Sequence, residues 1–123
     1  MRSQLLCFLP LAIFLSSQTT SAQADAEANA KGGAYQLALQ CFVAEGVARG
    51  YDLQVGDKAR ADGLEKRAHV SFDTAMALGK QLGYSGSKIS EDIGLMQGAE
   101  TVKYAKDIGS LRSAIATCES AGI

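Results

Sequence analysis

One histidine and two carboxylates are spaced to share a flank of a predicted helix. His69 is the only histidine among the 123 residues, with Glu65 four positions before it and Asp73 four positions after it. On a helix such side chains are neighbours, and an imidazole between carboxylates can hold a metal ion or relay a proton. A solvated polar face explains the same residues, since zinc sites use about three or four ligands, usually with more than one His or Cys. We therefore expect no metal and no cofactor, and the alternative is an enzyme or metal-binding protein centred on His69.

Glu45 is the second candidate for chemistry. It is the only acid in the most apolar predicted helix, over residues 34–49, where an unpaired carboxylate has a raised pKa. We expect Arg49, four positions on, to neutralise it, which favours a structural ion pair over a catalytic acid. Neither Glu45 nor His69 has a nucleophile partner in the sequence. The nucleophile elbow Gly-x-Ser-x-Gly, the phosphate loop and the haem motif Cys-x-x-Cys-His are absent, so no catalytic residue and no enzyme is predicted.

The amino terminus has the three parts of a secretory signal. A positive start at Arg2 precedes the apolar run 5–15, a polar stretch and the small-residue pattern Ala22-Gln23-Ala24. The run is shorter than the roughly 20 residues that cross a bilayer, so a retained anchor is the weaker interpretation. We predict a signal peptide over residues 1–24, a flexible leader over 25–33 and one domain over 34–123. The localisation is expected to be periplasmic or secreted, with no membrane span after cleavage.

Signal removal leaves two cysteines. Cleavage of the signal peptide would remove Cys7, whereas Cys41 and Cys118 would be part of the exported chain. An even number of cysteines in a small exported domain favours a disulfide, and we predict that Cys41 pairs with Cys118. Two buried thiols in a reducing compartment are the competing interpretation, which conflicts with the predicted export.

Helical spacing of apolar residues defines the predicted elements. The segment 34–49 is apolar almost all round and is expected to be a buried helix that Gly50 ends. A loop over 50–61 follows, and Asp62 predicts the N-cap of a second helix that Gly83 ends.

The carboxyl-terminal part continues the helical pattern. A capping residue in the Ser-Gly-Ser segment 85–87 starts a helix whose apolar stripe would next reach Glu100, so a break is expected near Gly98. Residues 99–121 repeat at helical spacing as one helix or two. No stretch alternates at period two. We predict an all-α fold, a small bundle of four or five short helices closed by one long-range disulfide.

Composition excludes one large class of function. With 12 basic and 13 acidic side chains, a net charge of −1 and 7% aromatic residues, the chain lacks the basic and aromatic footprint of a nucleic-acid interface.

No motif identifies a family. In size, predicted export and one long-range disulfide the chain resembles the small helical acid-stress chaperones of the bacterial periplasm, a likeness of architecture alone. We expect an exported binding, interaction or envelope-stress module, whose partner is a protein or a small apolar ligand. Apolar side chains outside the main stripes would form its interface: Leu39, Val43, Leu95 and Val102.

Overall fold

The computed structural model describes the backbone from Leu9 to Ile123 and the side chains from Ser21 to Ile123. The signal peptide predicted over residues 1–24 lies largely outside these described side chains. In the described backbone the chain forms four helices and no strand, which confirms the predicted all-α bundle. The helices are α1 (Leu9–Gln54), α2 (Lys58–Gln81), α3 (Gly86–Lys106) and α4 (Ile108–Ala121).

Helix α1 is the centre of the bundle, because α2, α3 and α4 all pack against it. The core has two clusters along α1. The first joins Tyr35 and Leu39 to Ala75 of α2 and Ile89 of α3. The second lies further along α1 and contains the following buried residues of α1, α3 and α4: Val43, Ala44, Tyr104, Leu111 and Ala114.

Helix α1 is longer at both ends than predicted. Residues 25–33 continue it as helix, so the predicted start at Ala34 is wrong; this segment is rich in alanine, the best helix former. Its side chains are exposed as far as residue 30, and its flexibility stays a prediction. The predicted end at Gly50 is also wrong. Gly50 is exposed inside the helix, and the turn instead uses Gly56, whose φ of 78° favours glycine.

Helix α2 therefore begins earlier than predicted. Asp57, not Asp62, is its N-cap, and the Asp57 carboxylate accepts a 3.2 Å hydrogen bond from the backbone amide of Arg60. The predicted end is confirmed, since α2 stops at Gln81 and Gly83 adopts a φ of 81°.

Helix α3 continues through Gly98, so the predicted break there is wrong. The charge of Glu100 does not interrupt the packing, because its carboxylate lies half-buried, 3.9 Å from Lys103 Nζ and beside the buried ring of Tyr104. The break falls at Asp107, which makes residues 99–121 parts of two helices.

Asp107 is the single residue between α3 and α4, and it caps both. Its amide donates to the carbonyl of Lys103 at the end of α3. Its carboxylate accepts 2.9 Å hydrogen bonds from the amide of Gly109 and from the hydroxyl of Ser110. These bonds hold the pKa of Asp107 below its usual value.

Gly79 marks the closest approach between helices. A Cβ atom there would lie 2.7 Å from Cδ1 of Ile89 and 3.2 Å from the ring of Tyr35. Glycine fits this position because Ile89 of α3 and Tyr35 of α1 lie against the α2 backbone, and a larger residue would force Ile89 to shift.

Candidate functional site

The disulfide ties the first helix to the last. Cys41 of α1 and Cys118 of α4 are bonded and fully buried, with their Cα atoms 5.7 Å apart. The predicted pairing is present in the structure. Because it closes a loop that spans most of the domain, it restricts the unfolded chain strongly.

The carboxylate of Glu45 lies one turn along α1 from Cys41 and is fully buried. Its Oε1 accepts a 2.6 Å hydrogen bond from the hydroxyl of Ser71, and its Oε2 lies 3.8 Å from Nε of Arg67. Burial raises the pKa of Glu45, while the Ser71 hydrogen bond and the Arg67 charge lower it in part. The carboxylate is therefore held by α2, on a face that the disulfide closes from α4.

The predicted partner of Glu45 is wrong. Arg49 instead lies 3.8 Å from Glu65 of α2, and both of these side chains are partly exposed. A residue on the neighbouring helix, Arg67, reaches the buried carboxylate, which spacing within α1 could not reveal.

Arg67 connects three parts of the chain. Besides Glu45, its guanidinium donates a 2.9 Å hydrogen bond to Oε1 of Glu119 and a 3.3 Å hydrogen bond to the carbonyl of Ile123. Arg67 thus links α2 to α4 and to Ile123.

Cys41, Glu45 and Cys118 are the only three described side chains of metal-binding type whose ligand atoms converge, within 4.8 Å of one another. Two of these atoms are joined in the disulfide, and a sulfur binds metal as a free thiolate. In the oxidised protein this group is therefore a buried carboxylate against a disulfide and not a metal centre.

The His69 group is placed differently from that buried group. Glu65, His69 and Asp73 are exposed along α2, as their spacing predicted. Among the described residues they do not form a converging set of ligand atoms, and Glu65 faces Arg49. No side chain between Ser21 and Ile123 adds a further ligand to His69.

A cleft of about 340 Å³ opens where the end of α1 and the start of α2 meet α4. This volume lies at the lower end of the range for small-molecule sites. All three helices contribute apolar side chains to its lining: Ala48, Tyr51, Leu64, Ile108, Leu111 and Ile115.

Four charged side chains edge the cleft, and three of them are already paired. Asp52 and Arg60 lie 3.7 Å apart, and Glu119 is bound by Arg67. Arg112 alone makes no hydrogen bond or ion pair with the rest of the described chain. The cleft therefore combines apolar side chains with one uncommitted cation.

Sequence reasoning missed this cleft. The charges of Arg112 and Arg60 are visible in the sequence, but the two residues are 52 positions apart and each resembles an ordinary surface residue. The predicted loop over 50–61 also hid the fact that Tyr51 and Asp52 belong to α1.

The apolar residues proposed as an interface divide into two pairs. Leu39 and Val43 are buried in the core, so their assignment to an interface is wrong. Leu95 and Val102 are 67% and 55% exposed on α3.

Within the region that the structure describes, no helix is long and apolar enough to cross a membrane.

Comparisons with protein-family models, with curated protein sequences and with solved structures find no match to this chain.

Proposed function

We propose that this protein is an exported binding module of the cell envelope whose site is the cleft between α1, α2 and α4. Its ligand is a small, mainly apolar molecule that carries one anionic group. The observation that carries the proposal is the uncommitted guanidinium of Arg112 in the lining of a cleft to which three helices contribute apolar side chains.

The chemistry of the cleft favours this ligand class. Apolar contact with side chains such as Leu111 and Ile115 supplies most of the affinity in sites of this kind, and a few polar groups fix the orientation. Arg112 can offer two parallel N–H donors to a carboxylate or a sulfonate. Since Asp52 and Glu119 already have partners, they do not compete for Arg112 at full strength.

Binding of anilinonaphthalene sulfonate, an apolar fluorophore with one anionic group, tests the proposal. We expect saturable binding at one site per chain. Arg112→Gln should weaken it about tenfold by removing the charged donor. Ala116→Phe should abolish it by filling the cleft from an exposed position of α4.

Lys66→Gln is the matched control, because Lys66 is an exposed cation of α2 outside the cleft. It should leave dye binding unchanged. Absence of saturable binding, or binding that neither cleft variant alters, would refute the assignment.

Export is the second part of the proposal. It is supported by the disulfide and by exposure of the side chains around the predicted cleavage point, because removal of residues 1–24 takes away no described side chain of the core. The intact mass of protein from the exported fraction should correspond to a chain that starts at Asp25. Alkylation should label no thiol before reduction and two after it. A retained amino terminus would reject cleavage.

The alternative centred on His69 is tested by His69→Ala. We expect this substitution to leave dye binding and metal content unchanged, because the side chain is exposed and none of the described residues brings a further ligand to it. A loss of bound metal in this variant would favour the alternative.

A further inference from the structure

Helix α3 carries an apolar stripe on its outer surface. Leu95 and Val102, separated by two turns, are 67% and 55% exposed, and between them lie the exposed small residues Gly98 and Ala99. These four positions fall on one face at helical spacing. A Cβ atom at Gly98 would meet no other atom within 4 Å, so nothing in the described chain covers the stripe.

Opposite charges lie at the two ends of this stripe. Glu91 is one turn before Leu95, and Lys106 is one turn after Val102; both are exposed on the same face. Neither lies within ion-pair distance of another described residue, although the charge of Glu91 acts on Lys88 at longer range. Lys88, the cation nearest to Glu91 in sequence, is bonded to Asp92 at 3.1 Å.

The stripe is complementary to itself when reversed. Its centre lies between Gly98 and Ala99, and Glu91 and Lys106 are equally far from that centre, as are Leu95 and Val102. Antiparallel pairing of two such helices therefore places each Glu91 opposite a Lys106 and each Leu95 opposite a Val102. Parallel pairing would place like charges opposite each other.

We propose that α3 is a homodimer interface, in which two copies of the chain pair antiparallel about a two-fold axis between Gly98 and Ala99. A two-fold axis uses the same surface of both copies, as this sequence symmetry requires. Small residues at the centre let the two helix axes approach closely, while Leu95 and Val102 cover them on either side.

The contact between the two copies of α3 is short, so we expect it to be weak. The stripe from Glu91 to Lys106 is about 22 Å long at 1.5 Å per residue, which is small for a stable interface. We expect a reversible dimer that forms in the micromolar range and weakens as salt screens the two ion pairs.

Sedimentation equilibrium of the oxidised protein tests the dimer from about 10 µM to about 1 mM at low salt. The average mass should rise from monomer to dimer over this range. Glu91→Lys and Lys106→Glu should each weaken the dimer at least tenfold, because each places two like-charged pairs across the axis. The double variant Glu91→Lys with Lys106→Glu should restore dimerisation, since the pairs are then exchanged and again opposite in sign.

Leu95→Glu should also leave the protein monomeric. Val70→Glu is the matched control, because Val70 is a 50% exposed apolar residue of α2 and the same change there lies outside the stripe. All these side chains are exposed, so helix content by circular dichroism should not change. A monomer at about 1 mM, a double variant that stays monomeric, or a Val70→Glu variant that dissociates equally would overturn the proposal.

Discussion

The hydroxyl of Ser71 donates a 2.6 Å hydrogen bond to Oε1 of Glu45, which joins α2 to α1 beside a buried disulfide. A fully buried carboxylate is unfavourable when ionised, and one hydroxyl with one guanidinium at 3.8 Å compensates only in part. The bundle therefore contains an acid whose protonation is coupled to folding.

Stability should consequently depend on pH through Glu45. Its pKa in the folded protein lies above the ordinary 4.5, so the folded state retains a proton that the unfolded chain has released. The free energy of unfolding should fall as pH rises from about 4.5 through the folded-state pKa, and the penalty is complete above that value. Thermal melts between pH 4 and pH 8 should show this slope in the native protein and a flatter profile in Glu45→Gln. Equal slopes in the two proteins would contradict it.

Removal of the cation should accentuate the same dependence. Arg67→Met leaves Glu45 without its charged neighbour and also releases Glu119 and the carbonyl of Ile123. We expect the free energy of unfolding to fall by about 1–3 kcal/mol at neutral pH. The decrease should be smaller near pH 4, where Glu45 is protonated. Urea denaturation at both pH values measures the difference. In the Glu45→Gln background the pH-dependent part of this loss should shrink to what the Arg67–Glu119 ion pair contributes.

Gly79 provides a test of helix packing. Gly79→Ala should lower the free energy of unfolding by about 1–2 kcal/mol despite the higher helix propensity of alanine, because the new methyl group meets Ile89. Gly63→Ala is the control in the same helix; its Cβ meets nothing within 4 Å, so stability should rise by up to about 1 kcal/mol. Denaturant titrations give the free energy of unfolding of both variants. If Gly79→Ala stabilised the protein as much as Gly63→Ala, Ile89 and Tyr35 would not lie against the backbone at Gly79.

The disulfide should supply a large part of the stability. It joins residues 77 positions apart, for which loop-closure entropy gives about 4.5 kcal/mol. In the double variant Cys41→Ala with Cys118→Ala, the free energy of unfolding measured in guanidinium should fall by up to that amount. Two small cavities left by the sulfur atoms would lower it further. A double variant as stable as the oxidised protein would show that the unfolded chain is already compact.

The helices and the disulfide were accessible from sequence because both depend on local or simple signals. Apolar spacing defined the faces that hold Cys41 and Cys118, and predicted export determined their pairing. Helix ends were harder to predict from sequence, because Gly50 and Gly98 lie inside helices instead of ending them. Both are at exposed positions, where a Cβ atom would meet nothing within 4 Å. The capping role of Asp57 instead of Asp62 depended on where α1 ended.

The surfaces proposed to be functional were accessible from sequence only where a single helix carries them. Leu95 and Val102 were visible as unassigned apolar residues because their face belongs to α3 alone. The cleft was not, because Tyr51, Arg60 and Arg112 meet only through the packing of three helices. Glu45 was recognised as unusual, but its partners Ser71 and Arg67 come from α2.

The joint at Asp107 makes chain length itself a constraint. Because only one residue lies between α3 and α4, no loop is present there that could accommodate an inserted or deleted residue. One extra residue in the first turn of α4 would rotate everything beyond it by about 100° about the helix axis and would carry Cys118 away from Cys41. Variation in this part of the chain can therefore proceed by substitution, whereas a change in spacing would separate the two sulfurs that close the bundle.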